Sequence, residues 1–108
     1  MSAVLIRSPA VVWRDEPRQR EEILEAAERG EDVGERGWVV LVDGGAMHEL
    51  NLTAGEIWCL FDGVRAVEDV AAELARLYEA PAEEILADVE GFAADWLRRG
   101  WLQRKEAG

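Results

Sequence analysis

Apolar positions in this chain change period along its length, from short runs with a repeat of two to longer stripes with a repeat between three and four. Residues 3–14 are apolar and β-branched, broken at Ser8-Pro9. Val11-Val12-Trp13 predicts a strand, and the proline reduces what precedes it to an edge or a lead-in. Pro17 to Arg29 predicts a helix, with Pro17 at its start and Gly30 at its end. Its stripe of Ile23, Leu24, Ala26 and Ala27 is thin, so weak attachment to the core is expected. Gly30 to Gly37 is a polar, glycine-punctuated linker. Trp38 to Val42 predicts a strand, Asp43-Gly44-Gly45 a hairpin turn, and Ala46 to Leu50 the returning strand. Alternation puts His48 and Leu50 on the core face and Met47 and Glu49 on the other.

Helices follow. Thr53-Ala54-Gly55-Glu56 has the spacing of a capping box. The helix it opens carries Ile57, Trp58, Leu60 and Phe61 and stops at Asp62-Gly63. Val67 to Glu79 repeats apolar residues at helical spacing: Val67, Val70, Ala71, Leu74, Leu77 and Tyr78. Pro81 ends it and primes a helix from about Ala82 to Arg99, striped with Ile85, Leu86, Val89, Phe92, Ala93, Trp96 and Leu97. Glu83 and Glu84 in its first turn and Arg98 and Arg99 in its last suit the helix dipole. Gly100 suits the position just past its end. Trp101-Leu102 is expected to pack back, and Gln103 to Gly108 to fray.

Sheet first and helices after indicates an α+β domain. The reading is a small winged helix-turn-helix-like fold over residues 1–108. A three-stranded antiparallel sheet is followed by a three-helix bundle, with an extra helix inserted between the first two strands. The 108 residues suffice for one domain with one modest core. No apolar run is long enough to cross a bilayer, and Met1 to Arg7 lacks the layout of a signal peptide, so a cytoplasmic location is expected. Cys59 is the single cysteine, which excludes an internal disulfide.

Charge narrows the partners. The net charge is −11, spread as −3 over residues 1–37, −3 over 38–65 and −5 over 66–108. Binding to nucleic acid rests on neutralising phosphates with Lys and Arg, so DNA, RNA and anionic membranes are disfavoured. The helix from Val67 to Glu79 sets only Arg76 against Glu68, Asp69, Glu73 and Glu79, which argues against a DNA-reading winged helix. A partner should be neutral, basic, or apolar where it touches.

Candidate chemistry is sparse. His48 is the one histidine, and nothing marks Cys59 or a serine as its nucleophilic partner. Cys59, between Trp58 and Leu60, reads as an inert buried thiol. The acidic pairs fall at helix starts or on solvated faces, and no calcium-loop or phosphate-loop spacing appears. No catalytic residue, metal ligand or cofactor is assigned. Trp58 and Trp96 belong to apolar stripes and read as core. Trp13, Trp38 and Trp101 are left open between core and recognition surface.

From Met47 to Leu102 the chain resembles the PqqD family, the RiPP recognition elements. The residues that carry the likeness are Leu50-Asn51-x-Thr53-Ala54-x-x-Ile57-Trp58-x-Leu60-x-Asp62-Gly63. They continue as Val67-x-x-Val70-x-x-x-Leu74, then Asp88-Val89-x-x-Phe92, Leu97 and Trp101-Leu102. Two features depart from the pattern. Arg65-Ala66 stands where members carry Thr or Ser to cap the next helix, and Glu16 to Gly37 replaces a short turn between the first two strands.

The resemblance implies a non-enzymatic peptide chaperone. It would bind the leader of a ribosomally made precursor peptide and present it to a modifying enzyme, commonly a radical S-adenosylmethionine (SAM) maturase. Iron–sulfur clusters would belong to that enzyme, since one cysteine could not hold them. The small sheet leaves an exposed edge, and peptide recognition by strand addition uses such edges. Carried over by position, the groove lies between the returning strand and the last helix. It would involve Met47, His48, Glu49 and Leu50 with Leu86, Val89, Glu90, Ala93, Trp96 and Leu97, some of them core rather than groove. The oligomeric expectation is a monomer or a weak homodimer. The alternatives are an interaction module of a larger complex without a peptide client and a winged-helix transcription regulator.

Overall fold

Two helices that begin at or after a proline and end at a glycine, and one Asp-Gly-Gly turn, set many of the boundaries. The computed structural model describes residues 3–105. In chain order the elements are β1 (Val4–Arg7), β2 (Val12–Asp15), α1 (Pro17–Glu28), β3 (Gly37–Asp43), β4 (Ala46–Asn51), α2 (Leu52–Leu60), β5 (Asp62–Ala66), α3 (Val67–Tyr78), α4 (Ala82–Arg98) and β6 (Leu102–Arg104). This is an α+β protein with two three-stranded antiparallel sheets. The elements divide into two compact units. One is residues 10–56; the other combines the residues up to Pro9 with those from Ile57 onward.

The unit of residues 10–56 is built on the sheet β2-β3-β4, with β3 central. The β3–β4 hairpin closes through Gly44 and Gly45, both at positive φ (57° and 86°), the backbone a two-residue turn of this hand requires. α1 packs on β3. It ends at Gly30 (φ 83°), whose N–H donates to the Ala27 carbonyl at 3.0 Å while the Glu31 N–H donates to that of Ala26 at 3.0 Å. The apolar stripe of α1 is as thin as the sequence suggested. Only Ile23 and Ala26 of the stripe are buried, but both are 0% exposed, as are Val39 and Leu41 of β3. A polar tie adds to them: the Arg20 guanidinium pairs with the Glu56 carboxylate and lies 5.6 Å from the centroid of the Trp38 ring.

The start of α2 also differs from the sequence reading. Asn51, not Thr53, is the cap: its Oδ1 accepts the Ala54 N–H at 3.0 Å, and Thr53 is exposed. Glu56 turns to Arg20 instead of back to the helix start. Asn caps at least as well as Thr does, and Asn51, the last residue of β4, stands immediately before the helix.

The second unit holds a sheet that the hydrophobic pattern did not disclose, in the order β5-β1-β6. The supposed lead-in β1 is its central strand, with Leu5 1% exposed. The expected helix stop at Asp62-Gly63 opens β5. The tail expected to fray from Gln103 contributes β6, paired as Leu5↔Arg104, Ile6↔Gln103 and Arg7↔Leu102. Lys105 continues it, its N–H donating to the Val4 carbonyl at 2.9 Å; residues 106–108 lie outside the described residues. Trp58 and Phe61 pack edge-on against Trp96 of α4, with centroids 5.5 and 6.3 Å apart. Val70, Ala71, Leu74, Val89 and Ala93 complete the buried set of α3 and α4. The Arg7 guanidinium accounts for two carbonyls near the end of α2, donating to Trp58 O at 3.0 Å and Cys59 O at 2.9 Å. Cys59 is half-buried rather than buried. α3 lacks a side-chain cap from Ala66, as the sequence suggested, but Asp69 reaches back to accept the Ala66 N–H at 3.0 Å.

Candidate functional site

The strand half of the predicted groove belongs to the unit of residues 10–56 and the helix half to the other.

β4 is an edge strand, and one hydrogen bond fixes which of its backbone groups face the free side. The Glu16 N–H donates to the Trp38 carbonyl at 2.8 Å, so that carbonyl points toward β2. The next peptide N–H, on Val39, then points toward β4, and alternation sends the groups of Leu41 and Asp43 the same way. Leu41 stands opposite His48 and Asp43 opposite Ala46. The backbone groups of Ala46, His48 and Leu50 are therefore spent on β3. Those of Met47 and Glu49 point outward, to an edge that no other strand among the described residues pairs. The two-residue turn demands the same Asp43–Ala46 closing pair, an independent check on this parity.

Side chains on β4 follow the expected alternation. Leu50 is buried at 8% and His48 is half-buried, whereas Met47 is 68% exposed and Glu49 is exposed. On the outer face Met47 joins two residues that sequence reading passed over, Val12 (70% exposed) and Val42 (40%). The register sets Val12 opposite Val42 and Val42 opposite Met47, one apolar row across all three strands. Together with Trp13, Arg14 and Val40 they line a shallow, largely apolar depression. Each of these valines sat in an apolar run that looked like core. Only the register reveals that Val42 falls on the face opposite Val39 and Leu41.

On α4 the predicted residues separate by burial. Val89, Ala93 and Trp96 are buried and serve the packing of their own unit. Leu86 and Leu97 are half-buried and Glu90 is exposed. Glu90, Ala93 and Leu97 come together with Leu5, Val67, Glu68 and Arg104 around an open depression within that unit, and Leu86 does not line it. Arg104 escaped notice because the tail was expected to fray. Among the described residues no three His, Cys, Asp or Glu side chains are grouped to hold a metal ion. No helix among them is long and apolar enough to cross a membrane.

The motif residues quoted above prove to be architectural. Asn51 is a cap, Ala54, Ile57 and Trp58 are buried, and Asp62-Gly63 opens β5. Asp62 Oδ1 accepts the N–H groups of Val64 at 2.9 Å and Arg65 at 3.1 Å, and Oδ2 pairs with the Arg65 guanidinium. Burial pushes the Asp62 carboxyl up, but these two N–H groups and the Arg65 charge together outweigh it and hold it below the ordinary value. Gly63 sits at φ 84°, and a Cβ there would come within 2.8 Å of Ile6 Cδ1. The motif thus builds the scaffold, and the surface it presents is left to residues such as Met47 and Glu49.

Comparison with known proteins now bears on what that scaffold is. The family model described as coenzyme PQQ synthesis protein D (PqqD) matches residues 37–102. The match begins where the inserted α1 and its linker end. No curated protein matches the sequence. Among solved structures, the chain is similar to the PqqD truncation of Methylobacterium extorquens PqqCD, determined by solution NMR and described as a functional, stand-alone RiPP recognition element. The two are 22% identical, with a TM-score of 0.64 over 94% of this chain and 89% of that one.

Proposed function

This chain belongs to the PqqD family, and on that premise we propose that it is a non-enzymatic recognition element for a precursor peptide. It binds the leader of a ribosomally synthesised precursor by strand addition along the free edge of β4. It then presents that peptide to a modifying enzyme, a radical SAM maturase. The observation that carries the reading is the unpaired edge itself: outward amides at Met47 and Glu49 on a strand whose other groups are satisfied by β3. Strand addition draws its affinity from such groups and its selectivity from neighbouring side chains. The acidic surface suits a leader with basic or apolar contact residues rather than an acidic one.

The part assigned to α4 is to supply peptide-contacting side chains that its own unit does not bury, the exposed Glu90 and the half-buried Leu86 and Leu97. Isothermal titration against candidate leader peptides tests the proposal. Saturable binding, abolished by scrambling the leader, is the expected result. Binding to the maturase with no binding to any leader would instead make the chain an interaction module without a peptide client.

A further inference from the structure

The outer face of the sheet β2-β3-β4 is apolar where a solvated face would be polar. Val12, Val42 and Met47 form a cross-strand row, and none of the three is buried. Exposed apolar groups that adjoin one another mark surfaces that other molecules cover. The row runs out at Met47, on the edge strand, beside the outward backbone groups of Met47 and Glu49. The neighbouring row is Arg14, Val40 and Glu49, so the last residue of that row is a carboxylate. Among the described residues Glu49 has no cation within ion-pair distance. Gly37 leaves room for it: a Cβ there would lie 2.8 Å from Glu49 Cβ and 3.0 Å from Glu49 Oε2.

A strand added at this edge runs past Met47 and Glu49 and bonds to their backbone groups, because those two residues face outward. Directly opposite residues in a ladder place their side chains on the same face, close enough to interact. We propose that the docking strand is read by these two positions: an apolar side chain opposite Met47, extending the row to a fourth strand, and a Lys or Arg opposite Glu49. The two lie two residues apart in the peptide. In an antiparallel complex the basic residue comes first in its sequence, in a parallel one the apolar residue. This rests on the reading of β4 as the peptide edge and adds the chemistry of the peptide that fits it.

A display library of random dodecapeptides, selected against the intact chain, tests it. The expected outcome is enrichment of a basic and an apolar residue at a spacing of two. Replacing the basic residue by Glu in an enriched peptide should weaken binding roughly fivefold, and Glu49→Lys should restore it. Circular dichroism verifies that the variant is folded, and amide exchange at Met47 and Glu49 reports where each peptide sits. Enriched peptides that protect those amides but lack the pattern, or ignore the charge swap, overturn this inference and leave the edge reading standing. Enriched peptides that leave both amides exchanging as in the free protein overturn the edge reading and this inference with it. A library that enriches nothing overturns the inference as well.

Discussion

Proline placed at His48 and at Glu49 should produce opposite results from neighbouring positions. His48 donates its N–H toward Leu41, because the pair Leu41↔His48 exchanges backbone bonds. His48→Pro removes that donor and leaves the Leu41 carbonyl, on a residue 0% exposed, without its strand partner. Removing one partner so that a buried carbonyl is stranded costs about 1–3 kcal/mol, the lost bond included. For a domain of this size that lowers Tm by about 5–20 °C. Glu49 points its N–H away from the sheet, so Glu49→Pro removes no bond from the fold, and edge strands tolerate proline. Its melt should stay within about 1 kcal/mol of the Glu49→Ala control. Thermal melts followed by circular dichroism, with His48→Ala as the second control, read the difference. Equal losses at both positions, or the larger loss at Glu49, would refute the parity derived from the Glu16–Trp38 bond.

Other substitutions test the packing. Gly55→Ala should destabilise by about 1–3 kcal/mol in urea unfolding, although alanine is the better helix former, because its Cβ would run into the Trp38 indole. Ile23→Ala should cost about 2–5 kcal/mol, measured the same way, because that side chain is 0% exposed; a loss below 1 kcal/mol would mark α1 as a weakly attached appendage. Asp62→Asn should destabilise at neutral pH. Its folded pKa lies below the ordinary 3.8, so the stability it contributes is present above that value and is lost as pH falls through the lower folded one. Melts of wild type and variant should therefore converge below pH 3.8 and stay apart above it.

Much of this fold was legible because its punctuation is local. Pro17 with Gly30, Pro81 with Gly100, and Asp43-Gly44-Gly45 each act within a few residues of where they stand, and the elements they bound appear close to where the pattern put them. The sheet β5-β1-β6 was not legible for the opposite reason. Its strands come from both ends of the chain and from the turn after α2, and β6 spans only Leu102–Arg104, too short to show a period. Pro9, read as the mark of an edge, lies in the turn after β1 and leaves the backbone of the strand itself intact. On β4 the alternation sufficed to separate Leu50 from Met47. On α4 the apolar stripe was too broad to divide Val89, Ala93 and Trp96, which are buried, from Leu86 and Leu97, which are partly open.

Hydrogen exchange along β4, with and without bound leader, tests the central claim most directly. In the free protein the amides of His48 and Leu50 should be protected by β3, while those of Met47 and Glu49 exchange fast. Saturation with the leader should slow exchange at Met47 and Glu49 and leave the His48 and Leu50 amides protected, since a peptide strand bonds only the outward groups. Leader binding that leaves Met47 and Glu49 exchanging at their free rates would contradict the account and move the peptide off this edge.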